Sequence, residues 1–246
     1  MKLEVIGFNI ESCVAAQEGG AHRIELCAGP GEGGTTPSYG FIKAAREILH
    51  IGLYVMIRPR GGDFLYTEKE LAIMKEDIRI CKQLGCDGIV TGMLTSEGKV
   101  DEEKCSQLIH LAYPMEATFH RAFDRTANAE GALEQIIDLG FERVLTSGQK
   151  PKSIEATDRL AKLVKQSDGR IIIMPGSGVN SKNIITIAES TGVTELHSSA
   201  GISQTSEMQF QNPEMNESLE HITVDKEEVK TMIRLLNEFE KVNLQK

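Results

Sequence analysis

Thr67-Glu-Lys-Glu-Leu-Ala-Ile-Met-Lys-Glu-Asp-Ile-Arg-Ile-Cys-Lys-Gln-Leu84, followed by Gly85-Cys-Asp-Gly-Ile-Val-Thr-Gly-Met93, spells one helix feeding one strand. Leu71, Met74, Ile78 and Cys81 recur at helical spacing and share one face, and Thr67 with Glu70 forms a capping box at the start. Gly85 supplies the left-handed residue on which a helix ends, so the chain can turn directly into the Val- and Ile-rich run Gly88–Met93. The unit is therefore β-α in character, and the question is how often it repeats.

It repeats along the whole chain. Short strand-like runs recur at Leu3–Phe8, Arg23–Cys27, Leu53–Arg58, Gly88–Met93, Glu116–His120, Arg143–Thr146, Ile171–Met174 and Thr194–Ser199. Stretches with helical spacing separate them, the last near Lys226–Lys241, and glycine stands before several strands (Gly19-Gly20, Gly140, Gly169, Gly192). Eight strands alternating with eight helices in 246 residues point to an α/β fold, a (β/α)8 TIM barrel forming a single domain over 1–246. A doubly wound open sheet is the alternative, but no G-x-G-x-x-G follows the first strand. The polar stretch Gly201–Thr223 has no clear period and reads as a loop, a short irregular helix or a disordered segment.

In such a barrel the turns leaving the strands build the functional face. Here those turns are Ala28–Pro37, Pro59–Phe64, Arg121–Arg125, Ser147–Pro151, Pro175–Asn180 and the chain from Ala200 onward. If Leu3, Val5, Ile24 and Leu26 face the helices, strand alternation turns Glu4, Ile6, Arg23, Glu25 and Cys27 toward the axis. The same rule turns in Met56 and Arg58, Thr118 and His120, Ile172 and Met174, and Glu195, His197 and Ser199. An interior carrying Glu4, Glu25, Arg58, His120 and His197 must either pair its charges in a structural lattice or present them to a ligand. As a site, Glu25 and His120 would serve as general acid and base, Arg58 would fix an anion and His197 would assist. Gly176 and Gly178 after strand 7, with Ser198 and Ser199 after strand 8, lie where barrels bind phosphate through backbone N–H groups and the start of a short helix. Asn180 or Ser181 would cap that helix.

Composition narrows the ligand. Twenty-seven Lys and Arg against 36 Asp and Glu give a net charge of −9, and Trp is absent, which argues against nucleic acid as partner. No apolar run reaches the ~20 residues of a membrane span, and Glu4 interrupts any signal-like start. Cys13, Cys27, Cys81, Cys86 and Cys105 are odd in number and form no C-x-x-C pair, so reduced thiols and a cytoplasmic location are expected. Cys81, Cys86 and Cys105 read as small buried hydrophobes.

The blocks Arg23-Ile-Glu-Leu-Cys27, Glu32-Gly-Gly-Thr-Thr-Pro37, Ile57-Arg-Pro-Arg-Gly-Gly-Asp-Phe64, Thr118-Phe-His-Arg-Ala-Phe-Asp124, Arg143-Val-Leu-Thr-Ser-Gly-Gln149 and Glu195-Leu-His-Ser-Ser-Ala200 resemble the CutC copper-homeostasis family. They stand in family order and span nearly the whole chain. The resemblance implies a cytoplasmic TIM barrel, often a homo-oligomer, associated with copper tolerance and proposed to bind Cu(I). Cu(I) prefers thiolate and thioether. Cys27, at the end of strand 2, is the best metal ligand. Cys13 would gain thiolate character from the start of the first helix, and Met56 and Met174 could add sulfur. Ile6 stands where some family members carry a cysteine. Two functions are thus expected: Cu(I) handling through Cys27, or an enzyme acting on a small anionic or phosphorylated metabolite through Glu25, Arg58, His120 and His197.

Overall fold

The computed structural model describes residues 1–243; residues 244–246 of the expected domain lie outside the described part. In chain order the elements are β1 (Lys2–Gly7), α1 (Ile10–Glu18), β2 (Arg23–Leu26), α2 (Tyr39–Ile48), β3 (Gly52–Met56), α3 (Glu68–Gln83), β4 (Gly88–Thr91) and α4 (Glu102–Ala112). There follow β5 (Glu116–Phe119), α5 (Ala129–Asp138), β6 (Arg143–Thr146), α6 (Thr157–Ser167), β7 (Ile172–Pro175), α7 (Ile184–Thr191) and β8 (Glu195–Ser198), then β9 (Gly201–Gln204), β10 (His221–Val224) and α8 (Lys226–Asn243). The strands expected from sequence all form, within a residue or two at each end.

Helix α3 shows why. The Thr67 hydroxyl accepts the Glu70 N–H while Glu70 accepts the Thr67 N–H at 2.8 Å, so both ends of the capping box are made. Leu71, Met74, Ile78 and Cys81 are buried, and Gly85 at φ +72° closes the helix, with the Cys86 N–H reaching the Cys81 carbonyl at 3.0 Å.

Strands β1 to β8 are joined by parallel pairing in the order β7-β6-β5-β4-β3-β2-β1-β8, and β8 packs beside β7 to complete a nearly closed barrel. Outward-facing Leu3, Val5, Ile24 and Leu26 belong to the main apolar core between strands and helices. Ile6, Cys27, Tyr54, Met56 and Val90 form a separate inner cluster, so the alternation is as expected. The segment after β8 is not a helix. β9 and β10 pair antiparallel, Ile202 opposite Thr223, as a two-stranded ribbon beside the barrel mouth, and residues 205–220 between them are irregular. Among the described residues no helix is long and apolar enough to cross a membrane.

Candidate active site at the barrel mouth

The barrel interior divides its charges by height. At the strand starts, Arg23 and Arg143 both reach Glu195 Oε2, at 2.6 and 2.9 Å, and Arg143 also reaches Glu116 at 2.7 Å. Tyr54 lies under both guanidinium groups, 4.8 and 5.3 Å from its ring centre, and its hydroxyl donates to Glu116. This is a closed lattice in which the buried charges have partners, as their desolvation requires. Arg143, Glu116 and Tyr54 were not among the residues singled out from sequence, although the same period-two count would have found them.

Glu4 joins the lattice to the mouth. One oxygen takes Arg23 Nε at 2.5 Å and the other lies 2.7 Å from His197 Nδ1. Burial alone would raise this carboxyl, but the Arg23 charge and the His197 hydrogen bond outweigh it and hold it down at about 2. For His197, burial opposes the charge, yet Glu25 and the Glu4 hydrogen bond together raise its pKa. The other ring nitrogen, Nε2, stands 3.9 Å from Glu25 Oε2. Burial drives Glu25 up; His197 offsets part of the rise, Glu4 adds to it, and the carboxyl settles at about 7.

Above these groups opens a cavity of about 490 Å³ bordered by Glu25, Arg58, His120, His197 and the apolar side chains Ile6 and Met56, with Ile202 and Ile222 of the β9–β10 ribbon as one wall. The four residues expected to form a catalytic set are thus brought together. His120 follows β5 directly and its Nδ1 accepts the Ala122 N–H at 3.3 Å, which leaves the ring proton on Nε2. Burial, then the nearby Arg58 charge, pull its pKa down to about 3, so the ring is neutral. Three side-chain atoms around this cavity are buried with no hydrogen-bond partner: Glu25 Oε1, Arg58 Nε and His120 Nε2.

Arg58 sits differently from a free anion hook. One terminal nitrogen donates to the carbonyls of Glu32 and Gly34 at 2.6 and 2.8 Å, the other to Gly62 at 2.8 Å, and the guanidinium stacks on Phe64. It therefore ties two mouth loops together, and the lattice partner of Glu4 is Arg23. Of the expected phosphate cradle, Gly178 and Ser199 line the cavity beside Ser177. The N–H groups of Ser177 and Gly178 have no acceptor among the described residues. Gly176 instead donates its N–H to Thr146, and the Ser198 hydroxyl is spent on the Val179 carbonyl at 2.6 Å. Among the described residues β8 is followed by strand β9 and not by a short helix. Helix α7 starts only at Ile184, after a turn, with Asn183 rather than Asn180 or Ser181 at its cap position.

The sulfur atoms also lie elsewhere than expected. Cys27 has no exposed surface; it is roofed by Gly34, where an added Cβ would meet its sulfur at 3.1 Å. Burial, reinforced by Glu25, raises its thiol well above the ordinary value. Burial raises Cys13 too, to about 12, overriding any help from the helix start. Met174 turns its sulfur onto Arg23 at 3.2 Å, leaving Met56 as the sulfur at the cavity. The one His and carboxylate group spaced to surround an ion among the described residues is Glu4, Glu25 and His197.

The CutC family model matches residues 1–202, ending as the ribbon begins. The chain belongs to the CutC family. The copper homeostasis protein cutC homologs of Mus musculus and Homo sapiens are 48% and 47% identical over 221 and 210 residues, covering 89% and 85% of this chain and 81% and 77% of theirs. A CutC family protein of Bacteroides fragilis is 51% identical over 210 residues, 85% of this chain and 84% of its own. A crystal structure of a CutC protein from Streptococcus agalactiae superimposes with a TM-score of 0.78 at 37% identity, covering 81% of this chain and 98% of that one. Phosphoribosyl anthranilate isomerase of Thermotoga maritima shares the barrel with a TM-score of 0.61 at 13% identity, a likeness of fold alone.

Proposed function

We propose that this CutC protein is an enzyme that transfers protons at a carbon next to a carbonyl of a small polar metabolite, with Glu25 as the acid–base group. The observation that carries the reading is the set of partnerless buried atoms on Glu25, Arg58 and His120 around one cavity. Each such group costs about 1–3 kcal/mol when left unmade, and a bound polar ligand offsets that cost. Neutral His120 would donate Nε2–H to the carbonyl oxygen and stabilise the charge that develops there. Glu25, held near 7, is poised to take the neighbouring proton and return it. His197, oriented by Glu4 and 3.9 Å from Glu25, would steady the Glu25 carboxylate between the two transfers. Five free, buried cysteines support a reducing, cytoplasmic setting.

The test is hydrogen–deuterium exchange into candidate hydroxycarbonyl metabolites in D2O, read by NMR after ligands have been chosen by thermal shift. Wild type should exchange a carbon-bound proton, and Glu25→Gln should lose at least about 100-fold of that rate while still binding. Exchange surviving in Glu25→Gln removes Glu25 from the chemistry.

Copper handling is the second reading, and it is favoured by the names of the mouse and human relatives. The donors do not suit Cu(I): Cys27 is sealed and held as a thiol, and Glu4, Glu25 and His197 offer oxygen and nitrogen. Cu(I) affinity measured against a chelator should then be the same in wild type and Cys27→Ser. A tenfold loss in the variant would restore Cys27 as a ligand.

A further inference from the structure

Next to the reaction cavity lies a second one of about 530 Å³, and the two share Gly33, Arg58, Phe64 and Arg121. Its character is different. The first is largely apolar around a few polar groups, whereas the second is bordered by Arg58, Arg121, Arg125 and Lys150 against the carboxylates Glu32 and Asp124. Four positive and two negative groups leave an excess of +2, on a chain whose net charge is −9.

Asp124 does not cancel that excess for a ligand, because its oxygens are engaged within the protein. It accepts from the Thr146 hydroxyl at 2.5 Å, from the Ser147 hydroxyl at 2.9 Å, from the Ser147 and Gln149 N–H groups at 3.1 Å, and from Arg121 Nε at 2.8 Å. The loop after β6 is wrapped around this one carboxylate. Its Gln149 is held at φ +59°, a left-handed conformation that a side chain bearing a Cβ rarely adopts. The Gln149 amide is anchored on Thr126, and Arg159 donates to its carbonyl. The effect of this bracing is to fix the loop that carries Lys150 opposite Arg125. Among the described residues, the side chains of Arg125 and Lys150 make no ion pair or hydrogen bond within the protein.

Resting on the enzyme reading above, we infer that the substrate bears a phosphate-monoester end that seats in this side cavity against Arg121, Arg125 and Lys150 while its carbonyl end reaches Glu25 and His120. Charge is the reason: a dianion balances the excess of +2, Arg125 offers a planar fork suited to its oxygens, and Arg121, held by Asp124 and Ser147, adds its charge. The phosphate seat thus lies on the β5 and β6 side of the mouth, next to the Gly176–Gly178 turn, whose Ser177 hydroxyl donates to the Pro151 carbonyl at 2.7 Å.

Inorganic phosphate is the probe, titrated by calorimetry and by melting temperature against sodium chloride at matched ionic strength. The full chain is compared with Arg125→Gln/Lys150→Gln, with Glu25→Gln, and with Lys162→Gln/Lys165→Gln, which removes two exposed charges from α6. Wild type, Glu25→Gln and the α6 variant should bind phosphate alike, and Arg125→Gln/Lys150→Gln should bind at least tenfold more weakly. Wild type that ignores phosphate, or an Arg125→Gln/Lys150→Gln protein that binds it as wild type does, overturns the inference. The enzyme reading fails separately, if Glu25→Gln keeps its proton exchange. Arg125, Lys150, Lys162 and Lys165 are exposed, so their substitution preserves folding, and for those two variants a wild-type melting temperature in chloride verifies that it does.

Discussion

Glu4 Oε1 stands 2.7 Å from His197 Nδ1, while the second oxygen of the same carboxylate holds Arg23 Nε at 2.5 Å. One side chain thus belongs both to the lattice that fills the barrel and to the group that borders the cavity. It sets which nitrogen of His197 carries the proton, and so turns Nε2 toward Glu25. Structure and chemistry are coupled through this residue.

Glu4→Gln separates the two roles. The variant removes the charge that helps raise the pKa of His197, so the His197 resonances should titrate at lower pH than in wild type, as read by NMR. It also leaves Arg23 with one carboxylate instead of two, and breaking a buried pair costs about 3–5 kcal/mol. For a domain of this size that corresponds to a fall in Tm of roughly 6–20 °C. An unmoved His197 titration would show that Glu4 holds the ring by shape alone.

Glu25 makes stability depend on pH in a way opposite to most carboxylates. Its folded value of about 7 lies above the ordinary 4.5, so between pH 4.5 and 7 the unfolded chain releases a proton that the fold retains. Stability contributed by this group is full below about 4.5 and declines as pH rises through 7, by about 3 kcal/mol in total. Glu4, held at about 2, acts in the reverse sense and loses its contribution as pH falls from 4.5 toward 2. The Tm of Glu25→Gln relative to wild type should therefore climb from pH 4.5 to about pH 7 and level off above it. A difference independent of pH would mean that Glu25 is ionised in the fold across that range.

The barrel was legible because each strand is short, rich in Val, Ile and Leu, and set off by glycine, and because period-two alternation assigns Leu3 and Ile24 outward and Glu4 and Glu25 inward without any tertiary knowledge. Alternation gives direction but not depth. Cys27 does point inward, yet its closure depends on Gly34 of the following loop lying over it, a contact no local pattern encodes. Arg58 likewise points to the mouth, but what it binds are carbonyls of Glu32, Gly34 and Gly62 on two separate loops. The β9–β10 ribbon was missed for a related reason. Gly201 pairs with Val224 across more than twenty residues with no tight turn between them, so nothing local announces a hairpin.

Arg58→Ala should act through loop order more than through loss of a charge. Three carbonyl contacts, that to Gly34 buried and those to Glu32 and Gly62 part-buried, disappear together; a buried acceptor left unmet costs about 1–3 kcal/mol and the part-buried ones less. We expect a loss of about 3 kcal/mol in chloride, with faster amide exchange across residues 29–36. Arg58→Lys should recover only a minor part, since one ammonium cannot span the Glu32–Gly34 and Gly62 carbonyls as the fork does. Native exchange protection of the loop in Arg58→Ala would disprove the clamp.

Gly92 supplies the sharpest test of His120. It follows β4 directly beneath the imidazole, where an added Cβ would lie 2.9 Å from His120 Nδ1 and 3.0 Å from the Phe119 ring. Gly92 is not among the residues with positive φ, so Gly92→Ala brings crowding without backbone strain. Overpacking of this kind costs about 1–3 kcal/mol, which leaves a folded protein. The nearest way to relieve it is to displace the imidazole, breaking the Ala122 N–H contact at Nδ1 that keeps the proton on Nε2. The ring nitrogen shifts of His120 should then depart from the Nε2–H pattern, and substrate proton exchange should drop at least tenfold, while phosphate binding at Arg125 and Lys150 persists. A Gly92→Ala protein that exchanges substrate protons at the wild-type rate would take His120 out of the reaction and leave Glu25 to work with a different donor.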